Sequence, residues 1–188
     1  MRRLLWFFIW ILPFNFLVFN CSSSDSNQNL ITLESSVNVY GGSLNDKGLS
    51  VINTSDGGYA VLGYTQSSDG DISNKLNDSF DFWLLKFDAN NSLLWNKTYG
   101  GFDDDRGNTI IQTSDGGYAA VGRSSSFGAG SYDVFLLKYK RSGALQWAKT
   151  VGSSGNDRGH AIIETSDHGL LITGYSNGLS TGGDDLLL

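Results

Sequence analysis

Carboxylates dominate the groups in this chain that could do chemistry. Asp69-Gly70-Asp71-Ile72-Ser73-Asn74 places two carboxylates and an amide within six residues, beside a glycine. Oxygen donors of that kind suit a hard cation such as calcium, so Asp69, Asp71 and Asn74 are the candidate metal ligands. The segment lacks the full spacing and the late bidentate Glu of a calcium loop, and a solvated loop is the default expectation. Asp103, Asp104, Asp105 and Asp157 form a second acidic group, expected on loops that present a binding face. Asp105-Arg106-Gly107 and Asp157-Arg158-Gly159 recur, with Asp46-Lys47-Gly48 as a weaker first copy. Catalysis needs one asymmetric centre, so a triplet that returns in every unit reads as an ion pair or a turn cap. His160 and His168 have no Cys or paired His beside them, which leaves no metal or acid-base site there. No Ser-His-Asp order can be singled out, no cofactor is expected, and the chain is read as non-catalytic.

Composition narrows the classes further. The chain has 188 residues, 13 Lys plus Arg against 19 Asp plus Glu, and a formal net charge of -6. A nucleic-acid partner is not expected, because phosphate-binding surfaces are basic. Hydrophobic residues make 40% and charged residues 17% of the chain, enough apolar material for a packed core. The single Cys excludes an internal disulfide framework and any multi-cysteine zinc site.

The acidic segments must be carried by something periodic. Asp56-Gly57-Gly58-Tyr59 returns as Asp115-Gly116-Gly117-Tyr118 and as Asp167-His168-Gly169-Leu170. Asp81-Phe82-Trp83-Leu84-Leu85-Lys86 returns as Asp133-Val134-Phe135-Leu136-Leu137-Lys138, and Asp185-Leu186-Leu187-Leu188 begins the same way. Trp95 and Trp147 stand 52 residues apart in matching surroundings, the spacing that also separates the Asp81, Asp133 and Asp185 motifs. Only the first turn-to-turn step is longer, which places a seven-residue insertion between Gly63 and Asp81.

Each unit holds four short β-branched and aromatic runs, in the second unit about 109–113, 118–123, 134–140 and 144–151. Asp-Gly-Gly supplies the positive φ of a hairpin, and the loss of the first glycine at His168 suggests that the second has the stricter backbone demand. In the third run, Phe135, Leu137 and Tyr139 fall on one face and Val134, Leu136 and Lys138 on the other. Trp95 and Trp147 are expected to pack between units. No helical period is sustained, so the fold is all-β, built from four-stranded antiparallel sheets of propeller-blade size. The units run over about 40–98, 99–150 and 151–188, the last incomplete. Residues 31–40 are expected as an isolated fourth strand, which brings the count to twelve strands, or three blades.

From Tyr99-Gly100-Gly101 through Asp-Arg-Gly, Asp-Gly-Gly-Tyr, Val-Gly, Asp-Val-Phe-Leu-Leu-Lys and Gln-Trp, the pattern resembles the bacterial surface β-propeller repeats of the SBBP type. The resemblance covers about 40–188 and implies surface interaction scaffolds built as closed rings. Propellers need about four to eight blades, so the expectation is an incomplete propeller: a fragment of a larger one, or a homodimer completing a ring. Alternating connections put short turns at one end of the blades and the longer links, with their aspartates, at the other, which is the expected binding face.

Ahead of the repeats, Met1-Arg2-Arg3, an apolar run over 4–19 and a polar exit read as a secretory signal over 1–20. Val18-Phe19-Asn20-Cys21 resembles the lipobox of bacterial lipoproteins, in which the cysteine becomes the lipidated first residue. Residues 21–30 then form the lipidated Cys21 and a flexible tether. The expected location is the outer membrane or cell surface of a bacterium. The expected function is an interaction scaffold for a protein or glycan, anchored to the membrane by lipid. A fragment of a propeller enzyme acting on polysaccharide, or a non-functional remnant, is the alternative.

Overall fold

Backbone groups in short apolar runs bounded by Asp and Gly are satisfied most simply by neighbouring strands, and the computed structural model is built that way throughout. It describes residues 37–73, 75–178 and 183–188. Asn38–Leu188 form one compact unit. Eleven strands make three antiparallel sheets. The first contains β1 (Asp46–Asn53), β2 (Tyr59–Thr65), β3 (Asp81–Phe87) and β4 (Leu93–Tyr99) in that order. The second contains β5 (Asp105–Gln112), β6 (Tyr118–Ser124), β7 (Asp133–Tyr139) and β8 (Leu145–Val151). The third contains β9 (Asp157–Glu164), β10 (Leu170–Ser176) and β11 (Asp185–Leu187). No helix among the described residues is long and apolar enough to cross a membrane.

Residues 37–40 belong to no strand, the rest of the expected strand over 31–40 lies outside the described residues, and the described sheets hold eleven strands. One expectation is corrected: the first strand of the second unit begins at Asp105 rather than Thr109. A bulge between Gly107 and Thr109 carries the pairing past Asn108, and equivalent irregularities fall at Leu49 and His160. The extra residue restores alternation beyond the glycine, and Asp-Arg-Gly therefore lies in the strand.

The sheets stack face to face, the third strand of the second sheet giving one side chain set to each neighbour. Phe135, Leu137 and Tyr139 meet Phe82 and Leu84 of the first sheet in one buried cluster, while Val134 and Leu136 join Ile162, Leu170 and Ile172 of the third. The alternation read from the sequence is the alternation observed. Trp83, Leu85 and Phe87 point away from the second sheet and are covered by Tyr40 and Ile72, the latter from the insertion. First strands run side by side: Asn108 Nδ2 donates to Gly159 O at 2.8 Å, and Ile110 N to Ser50 Oγ at 3.4 Å. Trp95 meets Tyr118 of the next sheet edge-on at 5.8 Å. Trp147 packs at the following interface against the cluster around Ile162.

The hairpin turns divide the glycine requirement in two. Gly57, Gly116 and His168 adopt φ of 84°, 78° and 65°, so the positive φ belongs to the first position. The second position is restricted by space instead: a Cβ on Gly117 would lie 2.3 Å from Tyr139 O, and one on Gly58 would lie 2.1 Å from Phe87 O.

Candidate functional site

The two ends of the sheets differ in chemistry. At the long-link end, a carboxylate opens each first strand and turns back on the link before it. Asp105 Oδ2 accepts Gly101 N at 2.7 Å, Asp157 Oδ2 accepts Ser153 N at 2.5 Å, and Asp46 Oδ2 accepts Gly42 N at 2.8 Å. Asp105 and Asp157 are fully buried, so these two, expected on an exposed binding face, are internal caps that hold the links. Charge-assisted bonds to backbone N–H groups satisfy donors that the bend of the link leaves without ladder partners. Asp103 is exposed, and Asp104 is half-buried with Oδ2 at 2.7 Å from Arg106 Nη2. Asp133 holds its own link by accepting Ala129 N and Gly130 N, each at 3.0 Å.

Of the candidate calcium ligands, the two described carboxylates bond backbone amides. Asp69 Oδ1 accepts Ser43 N at 2.8 Å and Asp71 Oδ2 accepts Gly41 N at 2.9 Å, so both carboxylates fasten the insertion to the segment before β1. Asn74 lies outside the described residues. Among the described residues no group of three or more His, Cys, Asp or Glu converges as a metal site would. Cys21 likewise lies outside the described residues. Within the insertion, Lys75 Nζ stands 3.9 Å from Asp81 Oδ1. Burial outweighs that ammonium and raises the Asp81 carboxyl to about 6, with Asp105 and Asp104 pushing the same way.

Above the caps, the links expose apolar side chains. Leu76 in the β2–β3 link is 97% exposed and Phe102 in the β4–β5 link is 91% exposed. Beneath them runs a row of cations and rings at one register position. Lys47 pairs with Tyr64, Arg106 with Arg123 and Arg158 with Tyr175. The Arg106 guanidinium lies over the Phe80 ring at 4.1 Å and Tyr64 at 5.1 Å, and Arg123 and Arg158 lie over the single ring of Tyr132 at 4.8 and 5.1 Å. Sequence reading treated Arg106 and Arg158 only as partners of the preceding aspartates and passed over Arg123. The signal available was Arg123 itself, a cation in β6 at the position that Tyr64 and Tyr175 hold in the other two sheets.

The short-turn end is organised by lysines. Lys86, 1% exposed, donates to Asp56 Oδ1 at 3.1 Å and Phe87 O at 2.6 Å. Lys138 repeats this with Asp115 Oδ2 at 2.9 Å and Thr113 Oγ1 at 3.0 Å. Hydroxyl bonds from Thr54 and Thr113 lead in holding Asp56 and Asp115 down to about 2. The sequence contained the signal, a Lys closing each Asp-x-x-Leu-Leu-Lys motif and an Asp opening each turn, but no local rule pairs them.

Beside Lys138, an open cavity of about 740 Å³ lies between the second and third sheets, lined by Leu136, Trp147, Lys149, Asp115 and Leu170 among others. On its rim Ser114 Oγ is 3.0 Å from His168 Nδ1 and 2.8 Å from Glu164 Oε1. Glu164 also approaches Nδ1, at 3.6 Å, so serine and carboxylate share one ring nitrogen. A nucleophile relay needs them on opposite nitrogens, and this contact instead fastens the second turn to the third sheet. The chain matches no protein family and no curated protein.

Proposed function

We propose that the chain is a non-catalytic interaction scaffold whose three sheets are β-propeller blades of the surface-repeat type, binding a protein or glycan through the long-link end. The observation that carries this reading is the pairing of carboxylates that fasten the links, buried at Asp105 and exposed at Asp69 and Asp71, with exposed apolar tips. Asp105 holds the link that displays Phe102, and the insertion that displays Leu76 is fastened by Asp69 and Asp71. Rigid links lower the ordering cost of binding, and aromatic tips are the side chains that dominate binding energy. Adjacent first strands support the radial arrangement of blades. In the same reading, residues 1–20 are removed on export and Cys21 carries the lipid that holds the scaffold at the bacterial surface, with 21–30 as tether.

The test is a panel of purified glycans and surface proteins probed with the full chain and with Phe102→Ala and Leu76→Ser. Both variants should keep the parent melting temperature and lose at least tenfold in affinity for any ligand the parent binds. Binding unchanged in both variants overturns the assignment of the site. Mass analysis of the exported N-terminal peptide tests the anchor, which fails if Cys21 carries no acyl groups.

A further inference from the structure

The arginine row stands out in an acidic chain. Arg106 and Arg123 are direct register partners in β5 and β6, and like charges placed opposite one another on a sheet oppose folding. Arg158 of the next sheet shares the Tyr132 ring with Arg123. Three guanidiniums thus gather at one end of two sheets, and each has a buried Nε with no hydrogen-bond acceptor among the described residues. Arg106 alone has a carboxylate at ion-pair distance, that of Asp104; Arg123 and Arg158 have none among the described residues. Burial, then Arg158 and Arg106, press the Arg123 guanidinium below its ordinary value, as expected where positive charges are held together without compensation.

Cation–π contact accounts for part of this arrangement. Arg106 has its charge matched, with Phe80 and Tyr64 beneath it and Asp104 beside it. Arg123 and Arg158 differ: the ring of Tyr132 fixes where both heads sit but supplies no acceptor in the guanidinium plane. A planar fork of N–H donors is matched by the paired oxygens of an oxyanion, and Arg123 and Arg158 bring two such forks to one ring, Arg158 lying also over Tyr175 at 5.6 Å.

We propose that Arg123 and Arg158, positioned by Tyr132, form an oxyanion-binding site that takes a carboxylate or sulfate group of a ligand approaching the long-link end. The proposal rests on the reading of that end as a ligand-binding surface and names the chemistry it selects.

The test uses the full chain, its Arg123→Gln/Arg158→Gln variant, and Lys97→Gln, an exposed change on β4, as control. Thermal unfolding is followed in sodium sulfate and sodium acetate, with sodium chloride at matched ionic strength. The parent and Lys97→Gln should be stabilised by sulfate or acetate beyond chloride, saturably, with a shift of a few degrees. The double variant should lose the saturable part of the response, keeping only the gradual stabilisation that sulfate gives folded chains in general, and, without added anion, should melt no lower than the parent, since it removes mutual repulsion. Equal responses to chloride and the oxyanions in the parent overturn the site, as does an unchanged oxyanion response in the double variant. A double variant that melts well below the parent shows the arginines to be packing elements and also overturns it. If Phe102→Ala abolishes binding to a panel ligand while the oxyanion response is absent, the scaffold reading stands and this site falls. An oxyanion response that persists with no panel ligand bound keeps the site and removes support from the scaffold reading.

Discussion

Replacing Asp56 with Asn removes the one carboxylate placed to neutralise Lys86, whose side chain is 2% exposed against 28% for Asp56. Asn keeps an oxygen for Thr54 Oγ1 and Gly58 N, so the change deletes charge and little else. Leaving a buried charge uncompensated costs about 3–5 kcal/mol, and the remaining bond to Phe87 O places this case near the lower figure, about 3 kcal/mol. Lys86→Met is the contrasting perturbation. It removes the buried ammonium and leaves Asp56 partly in water with two hydrogen bonds, for a cost within about 1 kcal/mol of the parent. Urea unfolding at pH 7 reads the difference: at a slope of about 2 kcal/mol per molar, Asp56→Asn lowers the midpoint by about 1.5 M and Lys86→Met by much less. The double variant should match Lys86→Met, a non-additivity of about 3 kcal/mol. The Thr54 hydroxyl, with Lys86 and Gly58, holds Asp56 at about 2, below its unfolded value. Its contribution is therefore complete above about pH 4 and is lost as the pH falls through about 2, so the gap between parent and Asp56→Asn closes over that window. A cost below about 1 kcal/mol for Asp56→Asn, or equal costs for the two single variants, refutes the reasoning.

Gly116→Ala, with its nearest side-chain contact at 3.7 Å and φ of +78°, should cost about 1 kcal/mol and lower the melting temperature by about 3 °C; Gly117→Ala, which drives a Cβ into Tyr139 O, should cost at least twice that by calorimetry. Asp81, raised to about 6 by burial, is penalised while ionised, so the penalty is present above about pH 6 and relieved as the pH falls towards 4. Over that fall the parent should gain about 2–3 kcal/mol relative to Asp81→Asn in denaturant titrations, and a flat difference refutes the assignment. Asp105→Ala should cost about 3 kcal/mol and speed hydrogen exchange at the Gly101 amide, whereas Asp103→Ala on the exposed link should stay within about 0.5 kcal/mol.

Much of the architecture was legible because it is local and repeated. A 52-residue return of Asp-Gly-Gly and of the Asp-x-x-Leu-Leu-Lys run implies the same sheet made again, and the two-residue period over Val134–Tyr139 names the face that each side chain gives to a neighbouring sheet. The site was less legible. An aspartate in the run Asp103-Asp104-Asp105 has the same local appearance whether it faces water, as Asp103 does, or is buried as a cap, as Asp105 is; the close approach of Phe80 and Asp81 from the first sheet makes the difference.

Periodicity and turn chemistry depend on neighbours along the chain, so the order of residues was enough to name an all-β protein of repeated antiparallel sheets. The partners of Lys86 and Lys138, the fastening of Asp69 and Asp71 to Ser43 and Gly41, and the gathering of Arg106, Arg123 and Arg158 join residues far apart in the chain or on different sheets. Such contacts exist only once strands distant in the chain have paired and, for Arg158, once the sheets have stacked, because burial and the direction of approach decide which charge meets which.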